Sequence, residues 1–421
     1  MNKKFRILFN VLSIVFLSIL CLFYGYRLLY YYKIEHPKNV KAEIKLYEKL
    51  VSTQGIEGMN YGLQKDGDEY YYAAGSNDNY LYYLGRMWRI VGIDKDGNIK
   101  LITDEVQTIL PYNINDKFDE SDINTWLNIN DNEYSGMFEK SLKGTVNIVK
   151  QNDNVSSLLT KKEYERLGKN SFVIDNNNFW IVDEESNKIL YVNNKGEIKE
   201  DNEDYDTYAV KPTIVISNQI LYTSGNGTID NPYIIDNSVK EKITDAYVGE
   251  YLNYGGYTFR IIDVNDISVK VALDGYIDTN EYSYSKYDNT FSIREGIGYY
   301  LNNEFYNSLA NNNYIVDSKY YTGSYSYNDN YSYLNTYLDK VDAKVGLYKI
   351  GDFFITSYNE YSTLTPSEAS KQTIYVINKN RKLFADLIDS AYRVRPVLSL
   401  ATDLFIIEGN GTKEKPFEIG R

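Results

Sequence analysis

Val210-Lys211-Pro212, twelve residues, Gly225-Asn226-Gly227-Thr228, three residues, Pro232-Tyr233-Ile234-Ile235: this phrase returns at the end of the chain. There it reads Val394-Arg395-Pro396, twelve residues, Gly409-Asn410-Gly411-Thr412, three residues, Pro416-Phe417-Glu418-Ile419. Every spacing is kept. A repeat of this kind decides the architecture before any single residue is read.

Matches continue outward. Ile189-Leu190-Tyr191-Val192-Asn193 answers to Thr373-Ile374-Tyr375-Val376-Ile377, and Trp88-Arg89-Ile90-Val91 to Phe259-Arg260-Ile261-Ile262. Trp126-Leu127-Asn128 answers to Tyr300-Leu301-Asn302. The offset widens along the chain, so the second copy carries net insertions, expected around 313–345, where surface loops tolerate them. Copies of this length are globular domains rather than solenoid units. We read 57–236 as repeat domain 1, 237–243 as a polar linker and 244–421 as repeat domain 2.

The N-terminus carries a second signal. Ile7 to Tyr26 contains no charge and is mostly Leu, Ile, Val and Phe. About 20 apolar residues span a bilayer as a helix. Lys3, Lys4 and Arg6 precede the stretch, and Tyr24, Tyr26, Tyr30, Tyr31 and Tyr32 suit the far interface. No small-residue cleavage site follows, so residues 1–33 are expected to be a cytoplasmic head and an uncleaved signal anchor. Arg27, Lys33, Lys38 and Lys41 nearly balance the leading cations. Orientation therefore rests on the short basic head staying inside, with the C-terminal domains extracellular on a single-pass membrane protein. Residues 34–56 read as a stalk, with a short charged helix over 39–51.

Composition excludes much. The lone cysteine, Cys21, lies in the expected span, so the exported part has no disulfide and no thiol chemistry. This suits a Gram-positive type of cell envelope. The single histidine, His36, sits beside the span, which removes Ser-His-Asp, Cys-His and histidine-based metal sites from the domains. A net charge of −13 argues against nucleic acid as a partner. No metal site and no cofactor are expected. Acidic clusters such as Asp66-Gly67-Asp68-Glu69 and Asp201, Glu203, Asp204, Asp206 offer hard oxygen ligands, yet none has EF-hand spacing. They read as solvated loops.

Within a copy, Trp88–Ile93 and Ile99–Ile102 flank Asp96-Gly97-Asn98 and predict a hairpin, repeated as Phe259–Val264 and Ser268–Ala272. A helix follows. Ser292 with Glu295 spells a capping box, and Ile293, Ile297, Tyr300 and Leu301 share one face, matched by Ile123, Trp126 and Leu127. Phe305 and Leu309 predict a further turn. Strands over Ile189–Val192, Thr213–Ile216 and Ile220–Tyr222 recur as Thr373–Ile377, Val397–Leu400 and Leu404–Ile407. The fold class is α+β: two tandem homologous domains with antiparallel sheets and one or two helices each, after one transmembrane helix.

These residues resemble an uncharacterised tandem repeat domain of surface proteins from low-GC Gram-positive gut bacteria. The resemblance is carried by Trp88-Arg89-Ile90, Trp126-Leu127-Asn128, Thr363-Leu364-Thr365-Pro366-Ser367, Val394-Arg395-Pro396-Val397-Leu398 and both Gly-Asn-Gly-Thr turns. It covers about 60–421. The first copy departs from it, with Trp180-Ile181-Val182-Asp183-Glu184 in place of Thr-Leu-Thr-Pro-Ser and Lys211 in place of arginine. The late Val-Arg-Pro strand is also similar to the C-type-lectin-like fold in its formylglycine-generating-enzyme version. The calcium–sugar motifs of lectins and the paired cysteines of the enzyme are missing, so the resemblance implies a scaffold only.

The repeated motif residues Trp88, Arg89, Trp126, Lys211, Pro212, Gly225, Gly227, Arg260, Arg395, Pro396, Gly409 and Gly411 are read as structural. Their cations suit ion pairs and their prolines fix φ at strand ends. Candidate ligand-binding residues are Tyr320, Tyr321, Tyr325, Tyr327, Tyr331, Tyr333 and Tyr337. They stand among Ser, Gly and Asn between 320 and 337. Rigid amphipathic rings among small hydrogen-bonding residues make adaptable binding loops. The competing reading is a compositionally biased segment with no ligand. The expected function is non-catalytic binding or adhesion at the bacterial cell surface, with cell-wall glycan or a surface protein as partner and the membrane engaged through 7–26. The alternatives are a carboxylate-dependent glycan hydrolase and a structural spacer or assembly subunit.

Overall fold

The computed structural model describes residues 44–421 apart from 56, 111, 113–116, 129–137, 143–146, 201–207, 236–239, 322–339, 349–360, 368–369 and 378–382. Residues 45–421 form one compact unit. It is α+β in content but mainly β, with several sheets and short helices. Among the described residues no helix is long and apolar enough to cross a membrane. The stretch 7–26 lies outside them.

The expected hairpin forms the centre of the first large sheet. Strand Arg86–Ile93 pairs with Tyr80–Tyr83 on one edge and Ile99–Thr103 on the other. Its turn is held by Asp94, whose Oδ1 accepts the amides of Asp96 and Asn98 at 2.9 and 2.8 Å. Thr213–Ile216 adds antiparallel to Ile99–Thr103, and Tyr233–Ile234 adds parallel to Tyr80–Tyr83. The second half repeats this order with Phe417–Gly420, Tyr251–Tyr254, Tyr257–Val264, Val269–Leu273 and Pro396–Leu400. The parallel pair recurs at the same place. So does a register shift in the middle strand, at Ile90/Gly92 and at Ile261/Asp263.

The repeated motifs act alike in both halves. Gly225 and Gly409 have φ of +93° and +98°, which glycine adopts without a Cβ penalty. A Cβ there would run into the carbonyl of Pro232 or of Pro416. The carbonyl of Gly227 accepts Tyr80 N at 2.7 Å, and that of Gly411 accepts Tyr251 N at 2.8 Å, which ties the late turn to the early strand.

The Asn of each Leu-Asn pair is a clamp. Asn128 Oδ1 accepts the amides of Val155 and Ser156 at 3.0 Å each, and its Nδ2 donates to Ser156 O at 2.9 Å. Asn302 Oδ1 accepts Lys344 N and Val345 N at 2.8 and 3.0 Å, and its Nδ2 donates to Val345 O at 2.8 Å.

Helix Asp122–Asn128 buries Ile123, Trp126 and Leu127, as its pattern predicts. The second-half helix differs from expectation at its start. It begins at Gly296, with φ +57°, and neither Ser292 nor Glu295 caps it; Ile293 stays exposed. Gly296 turns the chain where the capping box would need a straight first turn. A full capping box occurs instead at Thr160 and Glu163, opening helix Lys161–Leu167. Leu301–Phe305 continues the second-half helix as a π-helical segment. Ile220–Tyr222 forms only an isolated bridge at Leu221.

The boundaries also move. Helix Leu46–Val51 buries Leu46 and Leu50 completely, and Leu46 N donates to Ile220 O at 2.8 Å. From Lys45 onward the segment read as a stalk is thus part of the folded unit. Ile243, read as the end of the linker, is likewise fully buried, with its amide on Leu404 O at 3.0 Å. One or two buried aliphatic residues seat each short helical entry segment, too short a signal for periodicity to register.

Candidate functional site

Matched cations stand at one end of the two large sheets, each over an aromatic ring. The Arg89 Nε donates to Asn79 Oδ1 at 2.8 Å and Nη2 donates to Ser76 O at 2.9 Å. Its Nη1 lies 3.6 Å from Asp104, and the guanidinium covers the Tyr80 ring at 3.8 Å. Arg260 covers Tyr251 at 5.3 Å; its Nε donates to Gly249 O and its Nη1 to Glu105, both at 3.2 Å. Burial pulls the Arg260 guanidinium down, but the surrounding Tyr251, Glu105 and Asp274 oxygens outweigh it and hold the group above its ordinary value. Lys211 Nζ donates to Val173 O at 3.1 Å and lies 3.4 Å from Asp175. Arg395 donates to Leu273 O at 3.1 Å and covers the Tyr348 ring at 4.9 Å.

Of two consecutive carboxylates, Asp104 faces Arg89 within the first half, and Glu105 reaches across to Arg260 of the second. Beside them Glu250 is buried. It accepts Lys240 Nζ, the Tyr247 amide at 2.7 Å and the Tyr82 hydroxyl at 3.3 Å. Burial raises its carboxyl above the ordinary glutamate range, with Lys240 pulling the other way. Burial likewise raises Asp104, against the pull of Arg89 and Lys211. Arg86 is buried nearby, with Nε on Gln107 Oε1 at 3.0 Å, and burial plus the neighbouring Arg260 lower it. Gly85, with φ +70°, makes the close approach possible. A Cβ there would meet Tyr247 Cβ at 2.7 Å and Val248 O at 2.8 Å. These charges are committed to one another, which suits a fixed junction rather than reaction chemistry. Among the described residues no group of three or more His, Cys, Asp or Glu could hold a metal.

Sequence reading marked Arg89, Arg260, Lys211 and Arg395 but passed over Asp104, Glu105 and Glu250. A signal existed for one of them. Asp104 and Asp274 directly follow matched strands and send their amides to matched carbonyls, Met87 O at 3.1 Å and Thr258 O at 2.9 Å. Glu250 has no acidic counterpart, since Asn79 holds that place, so alignment of the repeats would not find it.

The tyrosine segment has a distinct support. Ser318–Tyr321 pairs with Lys340–Ala343 as a separate two-stranded ribbon, and Tyr321 faces Lys340 at its end. Tyr320 belongs to the core rather than to a ligand surface. It is 2% exposed, and its hydroxyl donates to Val397 O at 3.0 Å. Its ring lies against Gly346, where any Cβ would collide. Tyr320 thereby seats the ribbon. Tyr325, Tyr327, Tyr331, Tyr333 and Tyr337 lie outside the described residues.

Comparison of the chain with family models, with curated proteins and with solved structures finds no match.

Proposed function

We propose that this is a binding protein of the bacterial cell envelope, held by a single N-terminal membrane span. Two tandem copies of one α+β domain, C-type-lectin-like in plan, would be carried outside the cell and recognise cell-wall glycan or a surface protein without transforming it. The matched strand orders, the twin asparagine clamps and the twin glycine turns support the duplication.

The observation that carries the binding reading is the ribbon. It lies in the second half where the first half has a shorter connection between its asparagine clamp and the clamped strand. Its base is anchored by Tyr320, and the sequence 322–339 that connects its strands is rich in Tyr, Ser and Asn. A rigid base joined to a connection of this composition is the physical makeup of a recognition loop. The test is a glycan and surface-protein array probed with residues 45–421 and with a variant whose residues 322–339 are replaced by a short glycine turn. The expected result is binding by the first and loss by the second, at equal thermal stability. Equal signals from both would refute the ribbon as the site, and no signal from either would refute binding.

A further inference from the structure

The first half carries an open cleft at the place on its sheet where the second half meets the ribbon. Three matched positions locate it. Gly92 and Asp263 both sit at the register shift, Lys100 and Lys270 pair opposite them, and Val215 and Ser399 pair opposite the lysines. In the second half this surface meets the ribbon: Ser399 Oγ donates to Ser318 Oγ at 3.0 Å, and Lys270 lies 5.2 Å over the Tyr320 ring. In the first half the same surface is the floor of an open cleft of about 220 Å³.

The cleft walls have no counterpart among the described residues of the second half. One is the hairpin Leu63–Asp66 with Glu69–Tyr72, which pairs with the strand end at Gly92 and Ile93. Gly92 permits it, because a Cβ there would run into the Tyr70 carbonyl, whereas the second half, lacking this hairpin, carries Asp263. The other wall is helix Lys161–Leu167.

The lining is half polar and half apolar, with Val91, Ile93, Leu167 and Val215 among it, and its charges nearly balance. Lys100 holds Glu163 at 2.7 Å, and Arg166 holds Glu69 at 3.0 Å, so these groups are fixed in orientation. Tyr71 adds a half-buried ring beside the Arg166 guanidinium, and Asn98 and Gln151 add amides. Fixed carboxylates, amides and a guanidinium match the paired hydroxyls of a sugar, and a tyrosine ring suits its C–H face. An anion would meet Glu69 and Glu163, and a cation would meet Lys162 and Arg166. The volume is below the ~300 Å³ of pockets for drug-sized ligands and equals about seven waters, which favours one ring over an oligosaccharide.

We propose that this cleft binds a single uncharged, hydroxyl-rich sugar residue, such as the end of a glycan chain. The proposal rests on the binding reading above but names a different site. The test uses residues 45–421 and the methyl glycosides of glucose, galactose, mannose and N-acetylglucosamine, followed by calorimetry and ligand-observed NMR. Gln151→Trp fills the cleft from an exposed turn whose backbone pairing with Asn154 is unaffected. The expected result is saturable binding of at least one glycoside, weakened at least tenfold by Gln151→Trp and at least threefold by Glu184→Gln, which neutralises a carboxylate of the cleft lining, and unchanged by removal of 322–339. Absence of binding by all four, or binding unaffected by Gln151→Trp, overturns the proposal. Binding abolished by removal of 322–339 alone overturns it too, while leaving the ribbon reading intact.

Discussion

Replacing Asn302 by alanine tests the matched clamps and the junction together. The carboxamide serves three backbone groups across the clamp, Lys344 N, Val345 N and Val345 O, and a fourth in its own helix, Gly298 O at 2.9 Å. A typical hydrogen bond contributes about 1 kcal/mol net, and a buried group left without a partner costs about 1–3 kcal/mol. The clamp is only part-buried, so water relieves some of that cost, and a loss of about 3 kcal/mol is expected. Asn128→Ala removes the same three bonds at Val155 and Ser156 and should cost the same within about 1 kcal/mol. The assay is urea unfolding of residues 45–421, followed by tryptophan fluorescence and by far-ultraviolet circular dichroism. Trp88, Trp126 and Trp180 all lie in the first half, so fluorescence reports on that half alone. Because 45–421 is one compact unit, Asn302→Ala should shift the fluorescence midpoint along with the circular dichroism, by about 1 M urea for a slope near 3 kcal/mol/M. An unmoved fluorescence transition would refute the junction as a coupling element. A cost below about 1 kcal/mol at either asparagine would refute the clamp.

Gly85→Ala forces a Cβ against Tyr247 and Val248 in a left-handed conformation and should cost about 2–4 kcal/mol; faster proteolysis between 236 and 242 would report the opened junction, and unchanged cleavage would count against it. The raised carboxyl of Glu250 means that its contribution is fully present below the ordinary glutamate value of 4.5 and is lost as pH rises through the higher folded-state value. Glu250→Gln lacks this dependence, so its melting temperature relative to the parent should be higher at pH 7.5 than at pH 4; the opposite order would refute the assignment. Gly225→Ala and Gly409→Ala should each destabilise strongly, by about 3 kcal/mol or more, because both add positive-φ strain to a collision with a proline carbonyl; comparable melting shifts are expected, and a large disparity would argue against equivalent turns.

The core of the fold was legible because it is written twice. Trp88–Val91 and Phe259–Ile262 share one apolar pattern, and glycines stand at matched turns that need positive φ, Gly225 with Gly409 and Gly227 with Gly411. What was not legible depends on tertiary contact. The entry segments at Leu46 and Ile243 are too short for a period to appear. The capping box at Ser292 was spelled correctly yet overridden by the turn at Gly296. Tyr320 has the composition of a binding loop, but Gly346 and the Val397 carbonyl draw it into the core. Glu105 acquires its partner Arg260 only when the halves meet, and Glu250, held locally by Lys240 and the Tyr247 amide, gains the Tyr82 hydroxyl from the first half only then.

Co-sedimentation of residues 45–421 with purified cell-wall sacculi, with reducing ends measured in the supernatant, tests the central claim most directly. Recognition without chemistry predicts saturable pelleting and no release of reducing ends above the protein-free control. Release that grows with time and protein concentration, or a protein that stays wholly in solution, would contradict it.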